Sequence, residues 1–290
     1  MTALLAAGDV APASRVFEAA GRRLHYLETG DGPPVVLLHG AGGGGANWYR
    51  VIGPLSGAFR VLAPDLPGFG LSDPLPDAPA RDALGVEAAR ALHDWLVDVV
   101  RQPCDVIGTS FGGLAALRLA QANPGAVRRL ILLDSVGLGR QLPAIVRAAA
   151  LRGLGRLLLV PTRTGTDWLF RTLLVSDASN IPAREREALV DYLHASARIS
   201  ARTLGLAMRR FAGAFGQLEI LADDELARLT LPTLVLWGER DRFLPPGHGE
   251  RAARVMPDAS FAVIPGAGHS PNWERPAEVA DAMLRFLRAA

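Results

Sequence analysis

The chain has 290 residues, of which 49% are hydrophobic and 21% are charged. This length suits one large domain, or a domain with an inserted subdomain, and the composition excludes a disordered, collagen-like or disulfide-scaffold protein. All 31 basic residues are arginines, which excludes Schiff-base chemistry by lysine and a lysine-dependent phosphate loop. The net charge of +2, with no dense basic stripe, gives no reason to expect a nucleic-acid partner.

The termini and the single cysteine indicate the compartment. Cys104 cannot form an internal disulfide or a CxxC metal site. The N-terminal segment MTALLAAGDVAPASR lacks a positive n-region and holds only a short apolar run, so we expect a frayed leader and not a signal peptide. No run of about 18 apolar residues is present, so no stable membrane insertion is expected, and the predicted location is the cytoplasm.

Strand and helix patterns alternate through the first half of the chain. Short apolar or alternating runs predict strands at 23–28, 35–38, 61–63, 105–107 and 130–133. Helical spacing of apolar residues predicts helices at 86–100 and 114–122. Strands that alternate with helices in this way imply right-handed crossovers and a mainly parallel twisted sheet flanked by helices.

The alternation stops at about residue 136 and returns at about residue 227. Between these points only helical periodicity is found; after them we predict strands at 233–236 and 261–264 and helices at 250–255 and 277–287. A helical block between two sheet segments is typical of an inserted cap. We therefore predict a core of residues 1–136 and 227–290, with a helical cap (lid) of residues 137–226.

The strongest chemical signal is the sequence GTSFGG at 108–113. It follows a predicted strand and opens a predicted helix, and GxSxG in that position indicates a nucleophile elbow with Ser110 at its tip. The helix N-terminus behind the serine supplies N–H groups and a positive dipole. The alternative is a simple tight turn in a chain with 31 glycines.

A serine nucleophile requires a base and an acid that orients the base. His269, in the loop after the last predicted strand, is the favoured base, and His248 is its rival. Asp241, in the turn after the strand at 233–236, is the favoured acid, and Asp134 after the strand at 130–133 is the alternative. For His39 we expect a backbone or packing role. His25, His93 and His194 are expected to be surface or hydrogen-bonded core residues.

Five motifs together resemble the α/β-hydrolase fold superfamily, and specifically its serine-nucleophile enzymes with a helical cap. They are HGAG (39–42), DLPGFGLSD (65–73), GTSFGG (108–113), WGERD (237–241) and GAGHSPNWERP (266–276). The resemblance covers the chain from about residue 20 to the C-terminus. It implies an α/β-hydrolase fold with the chain order Ser110, Asp241, His269. It also implies an oxyanion hole formed by the N–H groups of Phe111 and Ala41, with Gly42 close behind.

The glycine-rich turn has a second interpretation, a phosphate-cradling loop. GAGGGG lacks the Lys-Ser/Thr of a P-loop and the spacing of a dinucleotide fingerprint, so we expect no nucleotide, no cofactor and no metal. The cap is rich in arginine, for which we expect a solvated face. Its aromatic residues offer candidate pocket residues, namely Trp168, Tyr192 and Phe211.

The leading functional hypothesis is a serine esterase that cleaves small to medium apolar carboxylic esters through an acyl-enzyme. The motifs are also similar to those of C–C hydrolases that act on vinylogous diketones from aromatic ring cleavage. Those enzymes usually have Asn before the nucleophile, Trp after the histidine and a cap arginine, where this chain has Thr109, Ser270 and Tyr192. A non-catalytic ligand receptor, a perhydrolase and an acyltransferase remain open. The expected partner is a small-molecule ester, and a homo-oligomer is left open.

Overall fold

A computed structural model describes residues 1–19, 22–74, 84–151 and 160–289. Eight strands form the main sheet, in the order β1-β2-β4-β3-β5-β6-β9-β10. Strand β2 is antiparallel to both β1 and β4, and all the other neighbours are parallel. The strands are β1 Ala13–Ala19, β2 Arg22–Thr29, β3 Pro34–Leu38, β4 Arg60–Pro64, β5 Cys104–Thr109, β6 Val127–Leu133, β9 Thr233–Gly238 and β10 Ala259–Ile264.

Helices cover both faces of this sheet, which leaves β3, β5 and β9 buried along their whole length. The helices of the core are α1 Thr2–Leu5, α2 Tyr49–Ser56, α3 Leu84–Trp95, α4 Phe111–Ala122, α10 Gly247–Val255, α11 Pro271–Glu274 and α12 Pro276–Arg288. The predicted mainly parallel α/β architecture is confirmed. The predicted helix at 86–100 is α-helical only as far as Trp95, and Leu96–Val100 continues it as a wider π-helical turn.

The described residues between β6 and β9 form helices and a short hairpin. Its helices are α5 Ala144–Ala149, α6 Arg163–Leu169, α7 Ala183–Ile199, α8 Ala201–Phe211 and α9 Asp223–Ala227. The hairpin pairs β7 (Ala212–Gly213) with β8 (Gly216–Gln217), which the purely helical prediction missed. Such two-residue strands are too short to produce a detectable period. The boundaries of the cap at 137 and 226 stay a prediction.

The N-terminal segment is part of the fold, so the prediction of a frayed leader is wrong. Thr2–Leu5 forms α1, which contacts α7 of the cap. The side chain of Leu4 is 1% exposed and belongs to the same core cluster as Leu27 and Val51. Strand β1 then begins at Ala13 and pairs with β2. The apolar residues around Leu4 come from segments that are distant in the chain. No local sequence pattern therefore predicts that Leu4 is buried.

We expect Leu4→Ala to destabilise the chain by roughly 3 kcal/mol, because it leaves a cavity in a packed core. Leu218→Ala is the matched control, since Leu218 is 58% exposed. Chemical denaturation of both variants would measure the difference. Equal unfolding midpoints would show that the N-terminal helix does not contribute to the core.

In the part of the chain that the structure describes, no helix combines the length and the apolar character needed to cross a membrane.

Candidate active site

Ser110 lies at the junction of β5 and α4 in a backbone conformation that is rare for a side chain. Its φ and ψ are 52° and −119°. The glycines around it permit this sharp turn, because a Cβ on residue 108 would lie 2.4 Å from the carbonyl oxygen of Gly112. A Cβ on residue 112 would lie 2.2 Å from the carbonyl oxygen of Leu38. The strained turn therefore depends on both glycines and presents the hydroxyl at the N-terminus of α4.

The two partners favoured from the sequence lie at hydrogen-bond distance. His269 Nε2 is 3.1 Å from Ser110 Oγ, and His269 Nδ1 is 2.8 Å from Asp241 Oδ2. The other carboxylate oxygen of Asp241 accepts the N–H groups of Phe243 at 2.7 Å and Leu244 at 2.9 Å. An ionised Asp241 would keep the imidazole proton on Nδ1, which leaves Nε2 free to accept the serine proton.

A residue that the sequence analysis missed packs against the imidazole. The ring of Phe243 stacks on that of His269, with the centroids 4.7 Å apart and an angle of 29° between the planes. The signal that could have identified it is its position two residues after the acid, in the same turn. This contact restricts rotation of the imidazole and so maintains its alignment with Ser110.

The turn after β3 lies against the nucleophile. A Cβ on residue 40 would lie 3.2 Å from the Cβ of Ser110, and Gly42 has a φ of 78°. Ala41 is exposed and Gly42 is buried. Phe111 begins α4, so its N–H belongs to the first helical turn, where such groups have no intrahelical acceptor. The assignment of Ala41, Gly42 and Phe111 to an oxyanion hole stays a prediction that this arrangement permits.

His39 connects this turn to the loop after β4. Its Nδ1 donates to the Gly40 carbonyl oxygen at 2.7 Å, and its Nε2 accepts the Leu66 N–H at 2.8 Å. Burial lowers the pKa of His39, so the ring is neutral, as this hydrogen-bond pattern requires. The expected backbone role of His39 is confirmed by these contacts.

A buried carboxylate, Asp65, secures the same turn from its other side. It accepts hydrogen bonds from the N–H groups of Gly45 at 2.6 Å and Leu71 at 2.8 Å, and from His25 Nδ1 at 2.9 Å. Burial opposes ionisation, but these hydrogen bonds, that of His25 first, hold the pKa of Asp65 below its ordinary value. His25 is thus a hydrogen-bonded core residue, as expected.

Ser14, His25 and Asp65 form a second series of hydrogen-bonded Ser, His and Asp side chains. Its Oγ is 2.8 Å from His25 Nε2. Ser14 is exposed in an extended edge strand, however, and no helix N-terminus follows it to bind an oxyanion. Ser14 therefore provides an internal comparison for the reactivity of Ser110.

Glu274 joins the cap to the loop that carries His269. Its carboxylate accepts the Gly268 N–H at 2.6 Å and the Asp177 N–H at 3.0 Å. It also accepts the backbone N–H of Ser176 at 3.0 Å and the hydroxyl of Ser176 at 2.7 Å. One buried side chain thus positions the residue before the histidine and the cap segment that faces it. Sequence reasoning missed this role, although Glu274 lies inside the GAGHSPNWERP motif.

The three predicted pocket residues differ in their surroundings. Tyr192 is buried, and a Cβ on residue 44 would lie 2.5 Å from its hydroxyl oxygen, so it reaches the segment that follows the turn after β3. Trp168 is 50% exposed. Phe211 packs against the hydrophobic core cluster of which Phe111 is a member. Of the three, Tyr192 is the one whose contacts favour a place beside the site.

The two rival triad residues are also buried. Neither ring nitrogen of His248 has a hydrogen-bond partner among the described residues, and its ring lies against that of Trp237 at 6.5 Å. Burial lowers the pKa of His248. Asp134 Oδ1 accepts the Gly238 N–H at 2.8 Å, whereas Asp241 is the carboxyl at hydrogen-bond distance from His269.

Comparison with known proteins identifies the family. The model of the alpha/beta hydrolase family matches residues 35–282. The chain belongs to the alpha/beta hydrolase family. It is 30% identical over 279 residues to a 2-hydroxy-6-oxononadienedioate/2-hydroxy-6-oxononatrienedioate hydrolase of Comamonas testosteroni, covering 91% of this chain and 89% of that protein. The predicted similarity to the C–C hydrolases of this family is confirmed.

Solved structures of other alpha/beta hydrolases extend the comparison. The 2-hydroxy-6-oxo-6-phenylhexa-2,4-dienoate hydrolase from Rhodococcus sp. strain RHA1 superposes with a TM-score of 0.82 and 25% identity, over 97% of this chain and 100% of that one. A thermophilic esterase from Thermogutta terrifontis superposes with a TM-score of 0.74 and 26% identity, over 96% of this chain and 98% of that one. Both reactions therefore occur among enzymes with this fold.

Proposed function

We propose that this alpha/beta hydrolase cleaves a carbon–carbon bond in substrates of the 2-hydroxy-6-oxodienoate class. The observation that carries the proposal is the 30% identity, across about nine-tenths of both chains, to a hydrolase named for such a substrate. Ester cleavage, which the sequence analysis places first, is less well supported by the comparisons. The hydrogen-bonded Ser110, His269 and Asp241 supply a nucleophile and a base for either reaction.

The chemistry of the substrate class specifies the bond that breaks. A 2-hydroxy-6-oxodienoate has a ketone at C6 and no ester or amide bond, so its hydrolysis must separate C5 from C6. Water supplies a hydroxyl to the C6 acyl group and a proton to C5. In the dienol C5 is a vinyl carbon, so the substrate must first become its 2-keto tautomer, in which the C2 hydroxyl has lost its proton and C5 has gained one. The electron pair of the C5–C6 bond can then be delocalised onto the C2 oxygen.

In the proposed mechanism, Ser110 Oγ attacks the C6 carbonyl as His269 Nε2 takes its proton. The N–H groups of Phe111 and of Ala41 or Gly42 bind the oxyanion that forms. The bond between C5 and C6 then breaks, its electron pair passes along the conjugated carbons to the C2 oxygen, and this oxygen receives the proton from His269. A water molecule, deprotonated by His269, releases the acyl group as a carboxylic acid and restores Ser110.

Ester hydrolysis is the second candidate, and a cap residue favours it. Burial and the nearby charge of Asp65 raise the pKa of Tyr192, so its hydroxyl stays neutral. Tyr192 stands in the cap segment where the resemblance implies an arginine to bind a substrate carboxylate. A neutral donor at this position suits an uncharged ester better than a dienoate.

The deciding experiment compares kcat/KM on 2-hydroxy-6-oxo-6-phenylhexa-2,4-dienoate with kcat/KM on p-nitrophenyl butyrate at the same pH. We expect the dienoate to be preferred by tenfold or more, which is about 1.4 kcal/mol of transition-state free energy. Release of benzoate, measured by chromatography, would identify cleavage between C5 and C6. Ser110→Ala gives the background for both substrates.

A preference for the butyrate ester would contradict the proposal and favour the esterase. A measurement of ester hydrolysis without the dienoate comparison would not decide between the two functions, because a triad able to break a carbon–carbon bond also attacks an activated ester.

A further inference from the structure

Asp134 is a buried carboxyl group that the proposed reaction does not use. It follows β6, its side chain is 0% exposed, and its backbone φ is 46°. Oδ1 accepts the Gly238 N–H at 2.8 Å. Oδ2 is also buried, and no N–H or O–H group of the described residues donates to it. Buried polar atoms without a partner are rare in folded proteins, so this oxygen requires an explanation.

The neighbour of Asp134 is the acid of the triad. One side-chain oxygen or nitrogen from each of Asp134, Asp241 and His269 lies within 4.8 Å of the other two. Two carboxylates this close in a buried site cannot both be ionised, because the second charge is repelled by the first and is poorly solvated. The pair must therefore hold one proton at neutral pH.

The hydrogen bonds decide which carboxyl group holds that proton. Asp241 accepts three N–H groups, from Phe243, Leu244 and His269. Among the residues that the structure describes, the Asp134 side chain accepts only the N–H of Gly238. Donors stabilise the charged form of a carboxyl group, so the negative charge belongs on Asp241 and the proton on Asp134.

We infer that Asp134 is a positioning residue of the triad, a neutral carboxylic acid whose Oδ2 hydroxyl donates a hydrogen bond to Asp241. The inference rests on the proposed role of Asp241 as the triad acid. The hydrogen bond supplies Oδ2 with its missing partner and holds the Asp241 carboxylate towards His269 Nδ1. It adds no second negative charge beside the imidazole.

The charges around Asp134 agree with a neutral acid. Asp241 faces it from the turn after β9, Glu274 from α11, and His269 from the loop after β10. Burial, followed by the negative charges of Asp241 and Glu274, raises the pKa of Asp134 well above its ordinary value.

Two substitutions of Asp134 distinguish a requirement for a hydrogen-bond donor at this position from a requirement for a negative charge. In Asp134→Asn the amide oxygen can accept the Gly238 N–H while the amide nitrogen donates to Asp241, and asparagine tolerates a positive φ. We expect it to keep kcat within about threefold of wild type. Asp134→Ala removes the donor, and we expect it to lower kcat about 10- to 100-fold, on the scale of a lost hydrogen bond to a charged group.

A loss of more than tenfold in Asp134→Asn would show that the negative charge of Asp134 is needed and would overturn the inference. A wild-type kcat in Asp134→Ala would also overturn it, because Asp241 would then need no donor.

A measurement of stability against pH tests whether Asp134 is protonated in the folded chain, and it needs no substrate. Between the ordinary pKa of 3.8 and the raised pKa of the folded chain, folded Asp134 holds a proton that the unfolded chain has lost. Stability from this group therefore falls as pH rises through that range. Asp134→Asn has no such proton, so its Tm minus that of wild type should increase as the pH rises above about 4. Asp281→Asn, at an exposed position, controls for the change in net charge.

A constant or shrinking difference in Tm would show that Asp134 is ionised in the folded chain, and would overturn the inference even if Asp134→Ala fails to fold. Absence of dienoate hydrolysis would overturn the proposed function and leave this result unaffected.

Discussion

Replacing Ser110 with alanine is expected to lower kcat by about 10⁴- to 10⁶-fold while the protein stays folded, on the scale at which other triads lose activity. The side chain removed is small, and the turn that presents it is held by Gly108 and Gly112. His269→Ala should cost a similar factor, and the double variant little more, because the two residues act as one unit. Steady-state kinetics on p-nitrophenyl butyrate would measure all three variants.

Ser14→Ala is the matched control for this experiment, since Ser14 Oγ also lies close to an imidazole nitrogen, 2.8 Å from His25 Nε2. We expect it to keep wild-type activity. An organophosphate should attach to Ser110 and not to Ser14, which mass spectrometry of the peptides would report. If Ser110→Ala kept a tenth of the wild-type kcat, the assignment of the nucleophile would be wrong.

Asp241→Asn is expected to lower kcat by about 10⁴-fold, because its amide can donate to His269 Nδ1 and so favour the wrong tautomer. The ring proton would then lie on Nε2, which is 3.1 Å from Ser110 Oγ and could no longer accept the serine proton. Measurement of kcat at saturating substrate separates this effect from a change in binding.

Asp105→Asn is the control for replacing a buried aspartate in the same sheet. Asp105 pairs with Arg128 at 2.7 Å, outside the site, so its substitution should affect stability and leave kcat unchanged. A kcat above a tenth of wild type in Asp241→Asn would mean that another acid orients His269. Asp134 would be the first candidate, since it lies in the same cluster.

The comparisons changed the order of the functional hypotheses. Thr109, Ser270 and Tyr192 depart from the residues that the resemblance to C–C hydrolases implies, and for that reason the sequence analysis places an esterase first. Identity to a dienoate hydrolase over most of both chains favours the C–C reaction instead. The departures concern three single positions, whereas the overall similarity covers about nine-tenths of the chain. The comparison of kcat/KM on the dienoate and on the ester measures whether the three positions or the overall similarity determines specificity.

The strands of the main sheet and the nucleophile elbow could be predicted from the sequence because the sequence signals for both are local. Strands β3 and β9 contain continuous apolar runs, and such runs occur where helices cover both faces of a sheet. The GTSFGG sequence combines glycines, a serine and a following helix within six neighbouring positions. The same reasoning failed for Leu4, whose burial depends on segments far from it in the chain.

The sequence favoured Asp241 over Asp134 as the acid, and the tertiary structure shows which of the two lies at hydrogen-bond distance from His269. Strands β6 and β9 are parallel neighbours, so Asp134 and Asp241, which follow them, reach the same end of the sheet. Two backbone N–H groups and His269 donate to Asp241, while in the described part of the chain Asp134 accepts the N–H of Gly238 alone. The sequence therefore predicted the fold and the position of Ser110, whereas the folded arrangement of hydrogen-bond donors favours the negative charge on Asp241, because donors lower the cost of burying it.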